Sequence, residues 1–292
     1  MVTKQEISPL LVIVGETASG KSQLAMRLAK KFDGEIIAVD SWTVYVNFDI
    51  GTAKPTTKDR SEIPHHLIDV AKPKEGFSAA VFKKLALRAI DDISSRGKLP
   101  ILVGGAGLYI DSILFDYSFM PAPSTELRDK LNTLSLNELL DKADQMNLDI
   151  KGIDIRNKRR IIRLIENKGQ LPKREAQRLN TLILGLKVPI DQLVTRITER
   201  VDTMFTEGLE QEVSWLAKSY GWGVEPMKGI GYREFYEYFE NNQTLSETRN
   251  RIISATLALA KKQRTWFKRN KSIHWINEQV KAVDLVTTFL NK

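Results

Sequence analysis

The chain contains no cysteine and only three histidines in 292 residues. The absence of cysteine excludes disulfide bonds, zinc sites with cysteine ligands and thiol catalysis. Two of the histidines, His65 and His66, are adjacent. Neighbouring side chains of an extended chain point in opposite directions, and no third ligand follows at a spacing that suits a metal. Any chemistry must therefore use carboxylates, hydroxyl groups, cations and backbone groups that bind phosphate.

Long hydrophobic runs are also missing. The longest apolar stretches, such as Leu10–Val14 and Ile101–Val103, have the length of a β-strand, well short of the roughly 18–20 residues that cross a bilayer. The first residues, Met1–Glu6, carry lysine and glutamate instead of a signal-peptide pattern. The sequence therefore predicts a cytoplasmic protein with no membrane partner.

The chain does have the composition of a soluble globular protein, with 42% hydrophobic and 27% charged residues. Its length suits one large domain or two smaller ones, at about 100–200 residues each. A length near the upper end for a single core favours one core that carries an insertion.

The net charge of +8 is concentrated in two segments. Arg156–Arg178 holds nine cations against two acids, and Lys261–Lys271 holds six cations and no acid. A charged helix face in solvent would explain either segment alone. Two such segments together are typical of a protein that binds a polyanion through its phosphates.

Strands and helices alternate in the first 120 residues. Leu10–Val14, Glu35–Val39 and Leu99–Val103 have strand character, and helical patterns cover Gln23–Phe32 and Ala79–Ser95. This alternation predicts a parallel α/β sheet that binds its ligands at the carboxyl ends of the strands.

The middle of the chain differs in character. Residues Pro121–Asn180 are helix-patterned, polar and finally basic. Strand character returns at Thr181–Val188, and helices are expected at Asp191–Trp215 and Leu245–Phe267. The sequence thus predicts an all-helical, basic insertion of residues 121–180 in an α/β core made of residues 1–120 and 181–292.

Residues Gly15–Ser22 match the pattern G-x-x-x-x-G-K-S between a strand and a helix. The glycines let the backbone fold around a phosphate, and the amides and the helix N-terminus point at the anion. Lys21 adds a positive charge, and Ser22 adds a ligand for Mg²⁺. The motif does not say whether the phosphate belongs to a nucleotide. It predicts a phosphate site at Gly15, Thr17, Ala18, Ser19, Gly20, Lys21 and Ser22.

Asp40 closes the second strand at the same sheet edge as this loop. Its carboxylate could bind Mg²⁺ through water or accept a proton from an attacking nucleophile, and the residues leave both roles open. Arg233 lies in the glycine-spaced segment Gly229–Glu234, which suits the presentation of a guanidinium to an anion. Gly104–Gly107 ends a strand and lets a ligand approach the backbone closely.

These motifs, in this order, resemble the tRNA dimethylallyltransferase (tRNA isopentenyltransferase) family of bacterial type, and the resemblance covers nearly the whole chain. The most specific stretch is Asp49-Ile-Gly-Thr-Ala-Lys-Pro55, which phosphate-loop proteins at large do not share. The other matching stretches are Gly15-Glu-Thr-Ala-Ser-Gly-Lys-Ser22, Asp40-Ser41 with Val44-Tyr45, Pro64-His-His-Leu-Ile-Asp69, Leu102-Val-Gly-Gly-Ala-Gly-Leu-Tyr109, Gly229-Ile-Gly-Tyr-Arg-Glu234 and Ala260-Lys-Lys-Gln-Arg-Thr-Trp-Phe267.

The resemblance implies a phosphate-loop NTPase-like core, with helices on both faces of the sheet, whose loop holds dimethylallyl diphosphate instead of ATP. A monomer with Mg²⁺ as cofactor would transfer the dimethylallyl group to the N6 amine of an adenosine next to the anticodon of tRNA. Asp40 would accept the amine proton, while Lys21 and Arg233 would stabilise the departing diphosphate. The positions expected to face tRNA are Asp40, Ser41, Trp42, Thr43, Ala106, Arg128, Arg159, Arg160, Ile161, Ile162 and Arg163.

Several positions depart from the family pattern. Glu16 replaces a proline and adds an acid beside the anion site, unless its side chain points outward. Trp42 and Thr43 replace the more usual residues, the second commonly a glutamine, Ala106 replaces a threonine, and Lys262 replaces an arginine. These changes concern base recognition more than the diphosphate site.

Three other functions are compatible with the phosphate loop. A small-molecule or nucleotide kinase would use ATP there but would not need the basic insertion. A nucleic-acid-binding nucleotide switch would leave Asp40 without a role. A prenyltransferase that acts on free adenine nucleotide would need no clamp for an anticodon arm.

Overall fold

The computed structural model describes residues 7–120, 124–277 and 279–291. Its strands are β1 (Leu10–Gly15), β2 (Gly34–Val39), β3 (His65–His66), β4 (Leu99–Gly104), β5 (Thr181–Leu186) and β6 (Ile273–Ile276). They form one six-stranded sheet in the order β3-β2-β4-β1-β5-β6, and all of its neighbouring strands pair in parallel.

Helices surround this sheet and build the middle of the chain. The α-helices of the described residues are α1 (Lys21–Lys31), α2 (Thr57–Glu62), α3 (Ala79–Ser95), α4 (Gly107–Leu114), α5 (Thr125–Thr133), α6 (Leu136–Gln145), α7 (Lys158–Glu166), α8 (Ile190–Thr206), α9 (Leu209–Tyr220), α10 (Tyr236–Phe239), α11 (Leu245–Phe267) and α12 (Gln279–Leu290). Short 3-10 helices cover Glu225–Lys228 and Arg233–Phe235. No helix of the described ranges combines the length and the apolar composition of a membrane span.

The strand β1 lies in the middle of the sheet, between β4 and β5, and all six of its residues are buried. Its continuous apolar sequence is what a parallel strand covered on both faces requires. Leu11 and Ile13 pack in one cluster with Leu24 and Leu28 of α1. The loop that joins β1 to α1 therefore opens at the carboxyl edge of the sheet, near its centre.

The predicted α/β fold with a parallel sheet is confirmed, and the bounds of α3 and α11 agree with the predicted ranges. The single helix predicted for Asp191–Trp215 is wrong, because Gly208, with φ of +99°, separates α8 from α9. The strands β3 and β6 and the helix α12 were not predicted. β3 has only two residues and β6 only four, two of them exposed, so neither gives a clear pattern of alternation.

Residues Phe115–Gln177 form a compact unit of their own, and the rest of the chain forms the other unit. The predicted start of the insertion at Pro121, with the Pro121-Ala-Pro123 punctuation, lies outside the described residues. The regular elements of the smaller unit are α5, α6 and α7, which enclose a small core made of Leu131, Leu139, Ala143, Ile161, Ile162 and Ile165.

Candidate active site

The phosphate loop connects β1 to α1 and depends on two glycines. Gly15 has φ of +149°, and a Cβ atom there would lie 2.8 Å from the carbonyl oxygen of Leu186 on β5. Gly20 has φ of +92° at the N-cap of α1. Lys21 Nζ donates a hydrogen bond to the carbonyl oxygen of Glu16, which closes the loop on itself. These positions need glycine because L side chains rarely adopt such φ values.

A cavity of about 710 Å³ lies over this loop. Thr17, Ala18, Ser19, Gly20, Lys21 and Ser22 all line it. Asp40, at the end of β2, and Thr43 line the same cavity. The structure thus brings together the phosphate loop and the carboxylate that the sequence predicted to lie near it.

The basic residues Lys21, Arg196 and Arg200 line this cavity. Burial and, to a smaller extent, the positive charge of Arg200 lower the pKa of the Lys21 ammonium to about 7, although the charges of Asp40 and Glu16 act in the opposite direction. Arg200 of α8 also lines the cavity, and its Nη1 donates a hydrogen bond to Thr17 Oγ1 at 3.3 Å. Burial lowers the pKa of Arg200, an effect that Asp40 opposes. The site therefore holds a concentration of positive charge that an anionic ligand would stabilise.

Asp40 is held in place by the chain that follows it. Its Oδ1 accepts hydrogen bonds from the backbone amides of Trp42, at 2.7 Å, and Thr43, at 3.3 Å. Such turns fix the side chain of an aspartate relative to its own backbone. Ser41 is partly buried in the same turn. The carboxylate is consequently oriented at the cavity wall before any substrate binds.

Two buried hydroxyl groups at the cavity have no hydrogen-bond partner. Ser19 Oγ and Thr43 Oγ1 both belong to residues that line it. Buried polar atoms are nearly always paired, so an unpaired one calls for an explanation. A polar ligand in the cavity would supply the missing partners.

The residues at the cavity fit a magnesium ion that binds together with a phosphate substrate. Within the described ranges, no group of three or more histidine, aspartate and glutamate side chains could hold a metal ion. Mg²⁺ is commonly held by one or two carboxylates together with substrate phosphates and waters. Ser22 and Asp40 offer a hydroxyl and a carboxylate at the same cavity, which is the donor set that such binding needs.

Two residues of the helix α11, Gln263 and Arg264, bind the phosphate loop. Gln263 Oε1 accepts a hydrogen bond from the amide of Thr17 at 2.8 Å, and Gln263 Nε2 donates one to the carbonyl of Gly105 at 3.2 Å. Arg264 forms a bidentate ion pair with Glu16, with a distance of 2.7 Å between Nη2 and Oε2. An outward orientation of Glu16 is therefore wrong. Glu16 is only 3% exposed, and the ion pair with Arg264 compensates the negative charge of its carboxylate.

The Asp49–Pro55 segment supplies another wall, since Thr52, Ala53 and Pro55 line the cavity. Within it, the buried Lys54 pairs with Asp49 and Asp69, each at 2.6 Å. These ion pairs hold the backbone that carries the wall, because the Lys54 ammonium ties the start of the segment, at Asp49, to Asp69 further along the chain.

Glu212 of α9 holds the same segment through its backbone. Its carboxylate accepts hydrogen bonds from the successive amides of Asp49, Ile50 and Gly51, at 2.8–3.2 Å, and one from Tyr232 Oη at 2.8 Å. Charge-assisted bonds to a carboxylate are stronger than neutral ones. The Asp49–Pro55 segment, the most specific stretch of the sequence, thus forms a wall of the cavity that tertiary contacts hold in place.

Arg233 does not take part in this site. Its Nε donates a hydrogen bond to Glu234 Oε1 at 2.8 Å, and its side chain is 54% exposed. It lines a different surface cavity together with Tyr236 and Glu237. The sequence prediction for Arg233 is therefore wrong, and the arginine that donates a hydrogen bond to the phosphate loop within its cavity is Arg200. A signal was available, because Arg200 and Arg196 lie one turn apart on α8, where helix geometry places them on one face.

The positions of the smaller unit that were expected to face tRNA differ in how far their side chains are buried or paired. Ile161 and Ile162 are 0% and 2% exposed in the core of the smaller unit, so their side chains cannot contact RNA and that expectation is wrong. Arg128 forms a bidentate pair with the buried Glu166, and Arg163 also donates a hydrogen bond to that carboxylate. Both arginines therefore balance a buried charge inside this unit.

Arg159 and Arg160 differ, since both are exposed at the start of α7. Ala106 lies directly before α4: its carbonyl accepts hydrogen bonds from the amides of Tyr109 and Ile110, and its own amide donates one to the carbonyl of Val39 at 3.4 Å. Gly105, next to it, lines the cavity over the phosphate loop.

Comparison with known proteins finds relatives that match nearly the whole chain. The family model described as IPP transferase matches residues 43–270. A tRNA dimethylallyltransferase of Pediococcus pentosaceus is 41% identical over 305 residues, which cover 96% of each chain. One of Anoxybacillus flavithermus is 39% identical over 279 residues, which cover 92% of this chain and 90% of that relative.

Solved structures are similar over most of the chain as well. A tRNA isopentenylpyrophosphate transferase of Bacillus halodurans superposes with a TM-score of 0.77 at 34% identity and covers 98% of this chain and 97% of that one. The one of Staphylococcus epidermidis gives 0.73 at 35% identity, with coverages of 97% and 99%. A eukaryotic dimethylallyltransferase described as acting on tRNA gives 0.76 at 27% identity, with coverages of 93% and 74%.

Proposed function

The chain belongs to the IPP transferase family, and on that premise we propose that it is a tRNA dimethylallyltransferase. It transfers the dimethylallyl group of dimethylallyl diphosphate to the exocyclic N6 amine of an adenosine next to the anticodon of tRNA and releases diphosphate. The observation that carries this proposal is one cavity in which Asp40 faces a phosphate loop together with Lys21 and Arg200. Such a cavity offers a base and an anion site at once.

The reaction is an alkylation. The lone pair of the adenosine N6 forms a bond to C1 of the dimethylallyl group while the bond from C1 to the diphosphate oxygen breaks, and that electron pair leaves with the diphosphate. The amine then loses one proton, which Asp40 accepts. The oriented carboxylate suits this role because its hydrogen bonds to the amides of Trp42 and Thr43 fix its direction.

The leaving group gains negative charge as the C1–O bond breaks, so cations around it lower the barrier. Arg200 provides positive charge at the loop, and so does Lys21 once the bound diphosphate favours its protonated form. Bound Mg²⁺, held by Ser22 together with the substrate phosphates, would add Lewis-acid stabilisation of the diphosphate, while the Asp40 carboxylate acts as the base. Departing diphosphate also favours the protonated form of Lys21, whose pKa is low in the free protein.

The tRNA must present its adenosine outside the base stack, because the amine cannot otherwise reach a carbon inside a cavity. Bases of single-stranded RNA loops are those that proteins recognise in this way. We assign the contacts to Asp40–Thr43, to the region of Ala106 and to the exposed Arg159 and Arg160. The exposed cations of Lys261–Lys271 add a second phosphate-binding segment.

A transfer assay tests this function. Protein, Mg²⁺ and radiolabelled dimethylallyl diphosphate are incubated with unmodified tRNA, with AMP or with ATP, and the tRNA is digested to nucleosides. We expect label in an N6-modified adenosine of tRNA and none in AMP. Transfer to AMP without transfer to tRNA, or hydrolysis of ATP without any prenyl transfer, would contradict the proposal.

A further inference from the structure

A second, smaller cavity of about 110 Å³ adjoins the one over the phosphate loop. Faces of the helices α8 and α11 supply half of the residues that line it. On α8, Ile197, Val201 and Met204 follow the three-and-four spacing of one helix face, and Ile252 and Leu259 do so on α11. Four of these side chains are almost fully buried: the exposed fraction is 0% for Ile197, 2% for Val201, 8% for Met204 and 1% for Ile252.

The two cavities share a wall. Thr17, Asp40, Thr52, Arg200 and Leu259 line both of them. Arg200 and Asp40 thus stand at the boundary, with the phosphate loop on one side and apolar side chains on the other. A ligand that spans this boundary needs a charged end and an apolar end.

The apolar side cannot receive the charged end. A phosphate surrounded by isoleucine, valine and methionine would lose its hydration without gaining hydrogen bonds. Transfer of a hydrocarbon group from water into the same surroundings is favourable. The diphosphate therefore stays with Lys21 and Arg200, and the hydrocarbon part enters the small cavity.

The volume limits the length of this hydrocarbon. An apolar protein cavity of roughly 150 Å³ holds benzene, which has six carbon atoms. By that scale, 110 Å³ suits about five carbon atoms, and a ten-carbon chain does not fit. The group of matching size is a single isoprene unit.

We propose that the small cavity is the pocket for the prenyl tail and that Met204 sets its five-carbon limit. Met204 lines the small cavity but not the large one, so shortening it enlarges the prenyl pocket without touching the phosphate loop. The proposal rests on the proposed function, since it assigns the part of dimethylallyl diphosphate that the phosphate loop does not bind.

The test compares two donors on tRNA, dimethylallyl diphosphate and the ten-carbon geranyl diphosphate. Met204→Ala should raise the ratio of kcat/KM for geranyl over dimethylallyl transfer by about 10- to 200-fold, the range found when an apolar pocket changes by a small group. The matched control is Met227→Ala. Met227 is 1% exposed in the same hydrophobic cluster but does not line the cavity, so its variant should leave the ratio unchanged.

A second variant fills the pocket and is measured without tRNA. Thr256 lines the small cavity only, and Thr256→Phe should raise the Kd of dimethylallyl diphosphate by about tenfold or more while the Kd of inorganic diphosphate stays unchanged. Thr265→Phe, an exposed position on the same helix, should change neither constant.

The outcomes separate this proposal from the proposed function. If the wild-type protein transfers dimethylallyl groups to tRNA but Met204→Ala and Met227→Ala give the same donor ratio, the pocket assignment is wrong and the function stands. Equal weakening of both ligands by Thr256→Phe would also overturn the assignment. If the wild-type protein binds dimethylallyl diphosphate but transfers no prenyl group, the proposed function fails, while the binding constants of Thr256→Phe still decide on the pocket.

Discussion

The fold lowers the pKa of Lys21 far enough that the charge of its ammonium depends on whether an anion is bound. Its pKa is about 7 in the free protein because it is buried beside Arg200. A diphosphate bound at the loop stabilises the charged ammonium and so raises this pKa. Between the two pKa values the complex holds one more proton than the free protein, and binding must take that proton from solution.

We therefore expect the affinity for dimethylallyl diphosphate to fall above pH 7, by up to about tenfold per pH unit. Calorimetric titration at pH 8 in two buffers with different ionisation enthalpies should show uptake of about one proton. Lys21→Met should bind more weakly and lose this uptake. Equal proton uptake by Lys21→Met and the wild type would contradict the assignment to Lys21.

Arg200 and Arg233 give a second prediction at this scale. Arg200→Ala should lower kcat/KM by about 10²- to 10³-fold, as is typical for removing one group that stabilises a developing negative charge. Arg233→Ala removes a half-exposed arginine that lines another cavity, so it should leave prenyl transfer unchanged. Steady-state kinetics with both substrates measure the two variants side by side. A larger loss for Arg233→Ala would restore the role that the sequence suggested for it.

The wrong prediction for Arg233 has a physical reason. The segment that contains Arg233 packs closely against the backbone at Gly51. A Cβ on Gly51 would clash with Tyr232, and Gly231, with φ of +93°, lies against Gly51. The glycine spacing of Gly229–Glu234 is visible in the sequence, but Gly51, against which the segment packs, lies far away along the chain. Phosphate-loop residues could be predicted because that motif is local, and Asp40 could be predicted because it ends a strand.

At the scale of elements, the break between α8 and α9 decides what α9 can do. Gly208 adopts a left-handed conformation, and the new helix direction lets Glu212 reach the amides of Asp49–Gly51. The periodic apolar pattern of residues 191–215 continued through this glycine, so periodicity alone predicted one helix. The binding of this loop by Glu212 depends on tertiary structure and could not be predicted from spacing.

We expect Glu212→Gln to lower both stability and activity. The neutral amide keeps one acceptor oxygen but loses the charge-assisted bonds to three amides, which should cost about 1–3 kcal/mol in the free energy of unfolding. Because the segment that it holds lines the cavity, kcat/KM should fall as well. Urea denaturation and prenyl transfer measure the two effects.

Glu210→Gln is the matched control for that experiment. Glu210 lies on the same helix and accepts a hydrogen bond from Tyr238 Oη at 2.9 Å, but it does not hold the Asp49–Gly51 segment. Its variant should keep wild-type kcat/KM. If Glu210→Gln lowered activity as much as Glu212→Gln, the loss would come from α9 in general and not from the cavity wall.

At the scale of the whole molecule, some cations of the sequence pair with buried carboxylates, and others have exposed side chains. Arg128 and Arg163 balance the buried Glu166, and Arg264 balances Glu16. Removing one of these would leave an uncompensated buried charge, which is strongly destabilising. Net charge and clusters of basic residues were readable from the sequence, whereas this division needs the partners that the fold provides.

Arg159 and Arg160 provide the test of the solvent-facing group. Neutralising both to Gln should weaken tRNA binding and reduce the slope of log K against log salt by about one for each phosphate that the variant no longer neutralises. Fluorescence anisotropy over a range of salt concentrations measures this slope. The control is the double variant Lys142→Gln with Lys151→Gln, which removes two exposed cations of the same unit. It should keep the wild-type slope. An unchanged slope for the arginine variant would mean that these residues only solvate the helix.

The central claim is that Asp40 takes the amine proton during prenyl transfer, and a single-turnover measurement on Asp40→Asn tests it most directly. The asparagine keeps an Oδ1 that can accept from the amides of Trp42 and Thr43, so the turn is preserved. With saturating tRNA, Mg²⁺ and dimethylallyl diphosphate, we predict that the rate of prenyl-adenosine formation falls by about 10²- to 10⁴-fold. The Kd of tRNA should change little, because asparagine keeps a polar side chain of the same shape for the RNA contact. Wild-type turnover of the bound complex, with weakened tRNA binding, would contradict the account.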